Sequence, residues 1–249
     1  MSDINLQPNP MCITAGVEPL VTELNEMIDV IHLDHCDPQR DGTEQFVQRM
    51  FRKAYGAKVD TFCPQLLAFS STEHRHRRAV VGYRDGTIKP LFSEHYLDAP
   101  AERLMSARLG QPVQRDHLVE VGNLALAHPG QARWVIAATT VYLRAAGYRW
   151  VLFTAVTPLV NAFKRLGMRP IPLTVADPRR LDDNGLAWGR YYDGEPMVYA
   201  GDIEAGLGKL KTCPALRQPK LKALLDKARL MGAMNGRDNS EAAQAAGWP

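Results

Sequence analysis

A single carboxylate stands in an apolar segment where it could handle a proton. Glu120 lies between Val119 and Val121 in a run of strand-forming residues. Withdrawal from water favours the neutral form of a carboxylate, so a buried Glu120 is predicted to accept a proton from a reacting group. An ion pair or an exposed strand face is the alternative interpretation of the same residue.

Asn123 and Thr154 are further candidates for a site around this carboxylate. Side chains alternate along a strand, so Glu120 and Asn123 would lie on opposite faces of a regular one. We predict a bulge at Gly122, between them, which brings both side chains to one pocket. Thr154 lies within an apolar run, where its hydroxyl can donate to a bound carbonyl or satisfy neighbouring backbone.

The elements that must position these residues alternate between strand and helix. Hydrophobic periodicity predicts strand, helix, strand and helix over residues 119–126, 132–146, 150–156 and 157–167. The third segment is short and does not alternate, which indicates a strand covered on both faces. Thr157 is predicted to cap the last helix, with Pro158 at its first position and Gly167 at its end.

The first hundred residues predict a strand-helix-strand-strand opening. Helical periodicity spans 43–55, and short strands are predicted at 65–69 and 79–83. Residues 1–17 are polar and contain proline, which indicates a flexible N-terminus. We therefore predict one domain over 18–207, followed by a tail over 208–249.

Composition limits the class of protein. The chain has 249 residues, of which 45% are hydrophobic and 23% charged, as expected for a globular domain with a full core. No apolar run is long enough to span a membrane and no signal peptide pattern is present, so a cytoplasmic location is predicted. The four cysteines are widely spaced, so neither a disulfide framework nor a metal site is predicted. No nucleic-acid partner is indicated.

The basic charge is concentrated in the tail. Residues 208–249 contain eight Lys or Arg and three Asp or Glu, a net +5, so the remainder of this +3 chain carries −2. Within the tail, apolar residues recur at helical spacing over 220–234 among lysines. One interpretation is a peripheral helix that packs its apolar stripe on the domain. The other is a docking surface for an acidic carrier protein or a peripheral contact with anionic lipid.

The same segments resemble a known family. The stretch from about 61 to 206 is similar to the bacterial thermostable hemolysin family. The matching pieces are Tyr96–Asp98, Ser106–Gly110, Glu120–Ala125, Phe153–Ala155, Asn161–Phe163, Arg165–Gly167, Trp188–Gly189, Tyr191–Tyr192 and Ala200–Ile203. Its core in turn resembles the Gcn5-related N-acyltransferases, in the branch of the acyl-homoserine-lactone synthases. The implied fold class is α/β, a mixed sheet flanked by helices, here with a basic helical appendage at the C-terminus.

The resemblance also implies how a thioester donor is held. A phosphopantetheine arm lies along the splayed strand, and its phosphate lies at the start of the next helix, where the dipole favours negative charge. The implied donor-binding residues are Leu124, Ala125, Leu126, Gly130, Gln131, Ala132 and Arg133. Gly130 fits a simple tight turn equally well. Ala127 replaces the Arg or Gln that leads the family's phosphate turn, which favours a carrier protein over coenzyme A as donor.

Substrate-binding residues are implied in the same way. Arg84 matches a strand-end Arg that can bind a carboxylate acceptor or a carrier phosphate, with a solvated turn as the alternative. Phe153 belongs to a matching piece, and Phe163 stands where the related enzymes carry a Tyr general acid. A thiol with a pKa of about 8.5 can leave as a thiolate without it. Trp188, Tyr191 and Tyr192 are predicted to form a wall or to pack in the core.

Two functions from different classes follow from this resemblance. The first is an N-acyltransferase that moves a fatty acyl group from acyl-carrier protein or acyl-coenzyme A to a small amine or amino acid. It needs no permanently bound cofactor, because the phosphopantetheine thioester is a co-substrate. The alternative is a membrane-disrupting cytolysin without enzymatic activity, against which the absent export signal and absent pore-forming hairpin argue.

Overall fold

A seven-stranded mixed sheet forms the centre of the molecule. The computed structural model describes residues 24–88, 90–214 and 218–236. The strand order is β1-β2-β3-β4-β5-β7-β6, and only β4 and β5 pair in parallel within this part of the chain. The predicted flexible segment 1–17 and the end of the predicted tail lie outside the described residues.

The elements follow the predicted alternation. The strands are β1 Ile28–Leu33, β2 Gln65–Ser71, β3 Arg77–Asp85, β4 Leu118–Leu126, β5 Trp150–Ala155, β6 Ile171–Val175 and β7 Met197–Asp202. The helices are α1 Arg40–Tyr55, α2 Ala101–Leu109, α3 Ala132–Ala145, α4 Thr157–Arg165, α5 Ile203–Thr212 and α6 Pro219–Met234. The strand-helix-strand-helix unit around Glu120 and the strand-helix-strand-strand opening are confirmed, as is the predicted α/β class.

Alternation along the strands builds a core on each face of the sheet. We define the front face as the one covered by α1, α2 and a 3-10 turn at Phe92–Tyr96, and the back face as the one covered by α3, α4, α5 and α6. Leu66 of β2 faces the front core, whereas Leu67 faces the back core. Because successive side chains enter opposite cores, the central residues of β2, β3 and β5 are mainly apolar.

The start of α4 and the start of the tail differ in detail from the expectations, whereas α6 agrees with one of them. Val156, not Thr157, is the N-cap of α4, so Pro158 takes the second helical position, where its missing N–H also costs no hydrogen bond. The predicted boundary at residue 207 falls within α5. Helix α6 packs against α3 and β1, and buries Leu221 and Leu224 in the back core, as the peripheral-packing interpretation of the tail expects.

The packing of α6 bears on membrane contact. Most of the apolar stripe of 220–234 is buried in the back core. The large apolar side chains of α6 that stay exposed are Leu230 and Met234. Among the described residues, no helix is both long and apolar enough to cross a bilayer.

Candidate active site

The sheet opens between β4 and β5. Their parallel ladder runs from Leu118 beside Trp150 to Val121 beside Phe153, and stops there. Beyond that point β4 continues to Leu126 with β3 as its partner, and β5 continues to Ala155 with β7. Between Val121 and Leu126, the edge of β4 that faces β5 therefore has backbone groups that β5 does not pair. A ligand can lie along this edge.

A cavity of about 900 Å³ occupies this opening and extends to both faces. Its front arm is bounded by Glu120 and by aromatic side chains. Its back arm lies between the sheet and helices α3, α4 and α5, and is mainly apolar. The side chains that line the back arm include Ile136, Leu143, Val151, Phe153, Leu159, Phe163, Met168 and Ile171. This volume is typical of a site that encloses a small molecule or an acyl chain.

Glu120 lies in the wall of this cavity and is only 3% exposed. One carboxylate oxygen accepts a hydrogen bond from the Phe92 amide (2.8 Å), and the other accepts one from the Ser93 amide (2.6 Å). These two N–H donors fix the orientation of the carboxylate. Glu120 is thus a buried, oriented carboxylate with its lone pairs partly free to accept a proton.

Arg84 lies directly across from Glu120, on β3. Opposite residues of an antiparallel pair share a face, so the guanidinium and the carboxylate both face the front arm. The Nη1 atom of Arg84 donates to the carbonyl of Pro90 (3.1 Å). Its Nε is buried without a hydrogen-bond partner among the described residues. The pair thus offers a fixed negative and a fixed positive group to one ligand.

The bulge predicted at Gly122 is present. Gly122 pairs with Gly82 and Ala125 pairs with Val80, so two residues of β4, Asn123 and Leu124, oppose one residue of β3. Asn123 adopts a left-handed backbone with φ +47°. This extra residue turns its side chain to the front face, the same face as Glu120.

The amide of Asn123 contacts protein rather than open space. Its Oδ1 accepts from the amide of Cys63 (2.7 Å), and its Nδ2 donates to the carbonyl of Thr61 (3.2 Å). Asn123 therefore fastens the segment between α1 and β2 to the bulge, although it also lines the cavity. Cys63 is held in the same wall, where burial raises the pKa of its thiol to about 12 and leaves it protonated.

Thr154 lies on the front side of the opening. Its Oγ1 is 3.2 Å from the Oγ of Ser93, whose amide binds Glu120. The phenol of Tyr191 donates to the carbonyl of Thr154 (3.4 Å). Ser93 therefore connects the carboxylate and the threonine, and sequence reasoning missed it.

Aromatic residues close the front arm. Trp188, Tyr191 and Tyr192 all line the cavity, in the segment between β6 and β7. The hydroxyls of Tyr96 and Tyr192 lie 2.6 Å apart, and burial raises the pKa of both phenols, which therefore stay neutral donors. These residues serve as a cavity wall and as packing at once.

A close contact with α1 holds this segment in place. Gly189 has φ +56°, and a Cβ at this residue would come within 2.3 Å of the carbonyl oxygen of Tyr55. Arg190 donates its amide to the same carbonyl (2.8 Å). The absence of a side chain at Gly189 therefore lets the aromatic wall approach the end of α1.

A partly buried ion cluster of Glu94, Glu102 and Arg115 holds the turn that supplies the two amides. The Glu94 side chain accepts from the amides of Leu91 (2.9 Å) and Ala101 (3.0 Å). Arg115 donates to both oxygens of Glu94 (2.5 and 2.8 Å) and to Glu102 (2.7 Å). Burial disfavours the charge on Glu94, but these hydrogen bonds outweigh it and lower the pKa of Glu94 to about 2. We call these three residues the Arg115 clamp.

Replacing Arg115 by Met should destabilise the protein and make its remaining stability less dependent on acid pH. Leaving two partly buried carboxylates without their cation should cost about 3 kcal/mol of unfolding free energy. Because the folded pKa of Glu94 is depressed, its contribution is present above its ordinary value and is lost as the pH falls toward 2. The variant should therefore lose little further stability between pH 5 and pH 3, whereas the wild type should lose more. Chemical denaturation at several pH values checks this, and equal pH slopes would contradict it.

The predicted donor turn lies at the upper end of the cavity. A 3-10 turn, Pro129–Gln131, precedes α3, and His128 and Pro129 line the cavity. Leu124, Ala125 and Leu126 line it as predicted, whereas Gly130, Gln131, Ala132 and Arg133 are not among its lining residues. The Gln131 side chain accepts from the His128 amide (3.1 Å), and Ala132 packs in the back core. Gly130 has open space above it, so the surface of the turn is accessible.

Phe153 lies on the back side of the opening. Its ring stacks on Phe163 (5.0 Å between centroids) and on Tyr199 (5.7 Å). It thus contributes an apolar wall to the back arm, together with Phe163, and no hydroxyl stands at either position.

The architecture is similar to that of several solved structures. The structure of FeeM, an N-acyl amino acid synthase from uncultured soil microbes, superposes with a TM-score of 0.51 at 14% identity, covering 77% of this chain and 99% of that one. TofI in an apo form gives 0.50 at 16% identity, covering 76% and 99%. A coenzyme-A-dependent acyl-homoserine lactone synthase, BjaI, gives 0.47 at 17% identity, covering 81% and 89%. No curated protein sequence matches the chain.

The first two likenesses show that the chain shares the fold of these solved structures. The family of the chain follows from a comparison of its sequence with family models. A model of the thermostable hemolysin family matches residues 33–207, and the chain belongs to that family. The resemblance predicted from the motif pieces is therefore confirmed over a longer stretch than the pieces themselves covered.

Proposed function

We propose that the protein transfers an acyl chain from a phosphopantetheine thioester to the amino group of an amino acid. One observation carries the proposal: the cavity that passes through the β4–β5 opening has Glu120 and Arg84 side by side in its front wall. Acyl transfer to an amine needs a slot for the thioester arm, an acceptor for the amine proton, and donors for the developing oxyanion. The opening between β4 and β5 provides the slot, Glu120 accepts the proton, and the unpaired edge of β4 provides the donors.

The two arms of the cavity suit different substrates. The apolar back arm is suited to the acyl chain, because its lining offers hydrocarbon surface and few polar atoms. The front arm is suited to the acceptor. There Arg84 can bind the carboxylate of an amino acid, while Glu120 orients its amine and takes the proton. Backbone groups of β4 near Leu124 and Leu126 polarise the thioester carbonyl in this mechanism.

Thr154 and Asn123 have supporting roles in this scheme. The Thr154 hydroxyl, held by Ser93, can donate to the acyl or acceptor carbonyl in the front arm. Asn123 acts on the acceptor through the Thr61–Cys63 segment, which it fastens to the bulge, rather than by its own amide. The N-acyl amino acid synthase with this fold supports the choice of acceptor class.

The donor is proposed to be an acyl-carrier protein. Arg169 and Lys209 line the cavity and are exposed, and Lys164 and Arg165 are exposed in the last turn of α4. We call these four residues the basic rim. Within the described part of the chain none of them takes part in an ion pair, so their charge is available to an acidic partner. Ala127, which replaces the Arg or Gln of the related phosphate turn, favours the same donor over coenzyme A.

Reversing charges on the basic rim should weaken the use of a carrier-protein donor. The double substitution Lys164→Glu and Lys209→Glu is expected to raise KM for acyl-carrier protein about tenfold at low salt, and less at high salt. KM for acyl-pantetheine, which lacks the protein surface, should not change. Lys222→Glu, on the exposed side of α6, is the matched control. Unchanged KM for the carrier protein in the double variant would exclude the rim as its docking surface.

The activity itself is tested by supplying donors and acceptors together. Purified protein is incubated with acyl-carrier protein or acyl-coenzyme A and with pooled amino acids, and free thiol and N-acyl amino acids are measured by mass spectrometry. The same preparation is added to liposomes without any donor. Thiol release that depends on an amino acid supports the proposal. Liposome lysis without donor, and no acyl product, would favour the cytolysin alternative instead.

A further inference from the structure

One buried hydroxyl in the cavity is left without a partner. Thr139 is 7% exposed and lines the cavity from α3. Its Oγ1 is buried and has no hydrogen-bond partner among the residues that the structure describes. Burial of a hydroxyl without a hydrogen bond is costly, so such an atom in a cavity indicates a ligand that satisfies it.

The neighbouring threonine satisfies its hydroxyl within the helix. Thr140 also lines the cavity, and its Oγ1 donates to the carbonyl of Ile136 (2.8 Å), one turn earlier. A helical threonine commonly satisfies its hydroxyl in this way. Thr139 does not make the corresponding bond, so its hydrogen-bond donor is unused among the described residues.

Helix and strand geometry places Thr139 near the reacting group. Because β4 and β5 are parallel, α3 runs back along them from its start at Ala132. Thr139 lies seven residues on, or about 10 Å at roughly 1.5 Å per residue. Three strand residues, from Leu126 back to Asn123, also span about 10 Å. Thr139 is therefore level with the point just above Val121, where the ladder ends and the thioester is proposed to lie.

We infer that the Thr139 hydroxyl donates a hydrogen bond to the sulfur of the thioester as it departs. This inference rests on the proposed acyl transfer. Phe163 has no hydroxyl, and its partner across the stack, Phe153, has none either. Thr139 offers the unused donor on the back side of the opening, where the negative charge on sulfur develops.

The role of Thr139 follows from the electron flow. The amine lone pair forms the C–N bond, and the carbonyl electrons move to oxygen. Collapse of this intermediate restores the carbonyl and breaks the C–S bond, whose electron pair goes to sulfur. Glu120 takes the amine proton, which balances the thiolate. An alcohol is a weaker acid than a thiol, so Thr139 keeps its proton and stabilises the thiolate by hydrogen bonding alone.

The test compares two donors that differ only in the leaving group. Wild type, Thr139→Val and Thr212→Val are assayed for thiol release with decanoyl-pantetheine and with decanoyl 4-nitrothiophenyl ester, in the presence of an equimolar mixture of amino acids. The nitrothiophenolate needs little stabilisation, whereas the alkyl thiolate needs more. Thr139→Val should lower kcat for decanoyl-pantetheine about tenfold or more and leave the aryl ester nearly unchanged. Thr212→Val removes an exposed helical hydroxyl outside the cavity and should stay within about twofold of wild type for both donors.

Stability separates this role from a structural one. Removing an unsatisfied buried hydroxyl should leave the melting temperature of Thr139→Val equal to that of wild type or higher. Full turnover of decanoyl-pantetheine by Thr139→Val would overturn the inference, and so would an equal loss with both donors. A wild type that releases no thiol from either donor would instead refute the proposed function.

Discussion

Glu120→Gln should lower kcat for acyl transfer by roughly a hundred- to ten-thousandfold, the range for loss of a general base. A carboxamide cannot take the amine proton. KM for the acyl donor should change little, because the donor lies along β4 and in the back arm rather than on the carboxylate. Thiol release under saturating acceptor, with kcat and KM determined separately, checks the result.

The substitution also perturbs the local structure, which a control must separate. The carboxylate accepts the Phe92 and Ser93 amides with different oxygens, and a carboxamide offers only one acceptor. Some stability is therefore lost, of the order of 1–3 kcal/mol for one unsatisfied buried donor. Glu26→Gln is a control for the loss of a carboxylate, because Glu26 is partly buried beside Arg78 and is not among the residues that line the cavity. If Glu120→Gln retained full turnover, Glu120 would not be the base.

The strand-level features of this site could be predicted because their causes are local. Gly122 between two polar residues predicts a bulge, and the bulge follows directly after it, with Asn123 in the left-handed region. The unbroken apolar run at 150–156 predicts a buried strand, and β5 lies in the interior of the sheet. In each case the pattern depends on neighbours in the chain.

The groups that complete the site could not be predicted, because they are brought in by long-range pairing. The Phe92 and Ser93 amides bind Glu120 from a turn that precedes it by nearly thirty residues. Every residue except proline has a backbone N–H, so the residue types in this turn do not indicate that its amides are used. Glu94 is the residue of the sequence that indicates this turn. It stands three residues after Leu91 and forms one half of a capping box with it. The pairing of Arg84 with Glu120 depends on the β3–β4 register, which the bulge itself shifts.

The predicted donor turn extends beyond the lining of the cavity. The resemblance carried Gly130 to Arg133 into the site as a unit. In the structure, the 3-10 turn at Pro129–Gln131 caps itself through Gln131, and Ala132 begins a helix that packs in the core. The cavity lining therefore ends at Pro129 on this side and resumes at Ile136. What remains for a phosphate is the accessible surface above Gly130.

Arg84→Met should change which amines the enzyme accepts. The guanidinium has a buried, unused Nε beside Glu120, and a charge-assisted bond to an acceptor carboxylate is worth about 2–3 kcal/mol. Losing it should lower kcat/KM for an amino acid roughly a hundredfold. The corresponding amine without a carboxylate has no such bond to lose, so its kcat/KM should be nearly the same in variant and wild type.

The comparison of the two acceptors decides what Arg84 does. Each amino acid that serves as an acceptor is assayed beside its decarboxylated amine, with wild type, Arg84→Met and Arg84→Lys. Lysine keeps the charge but not the planar fork of donors, so it should recover only part of the preference for the carboxylate. If both acceptors lost turnover equally, Arg84 would support the loop through its bond to Pro90 rather than bind the acceptor. A preference that disappears in Arg84→Met, with turnover of the simple amine intact, would identify the front arm as an amino acid site.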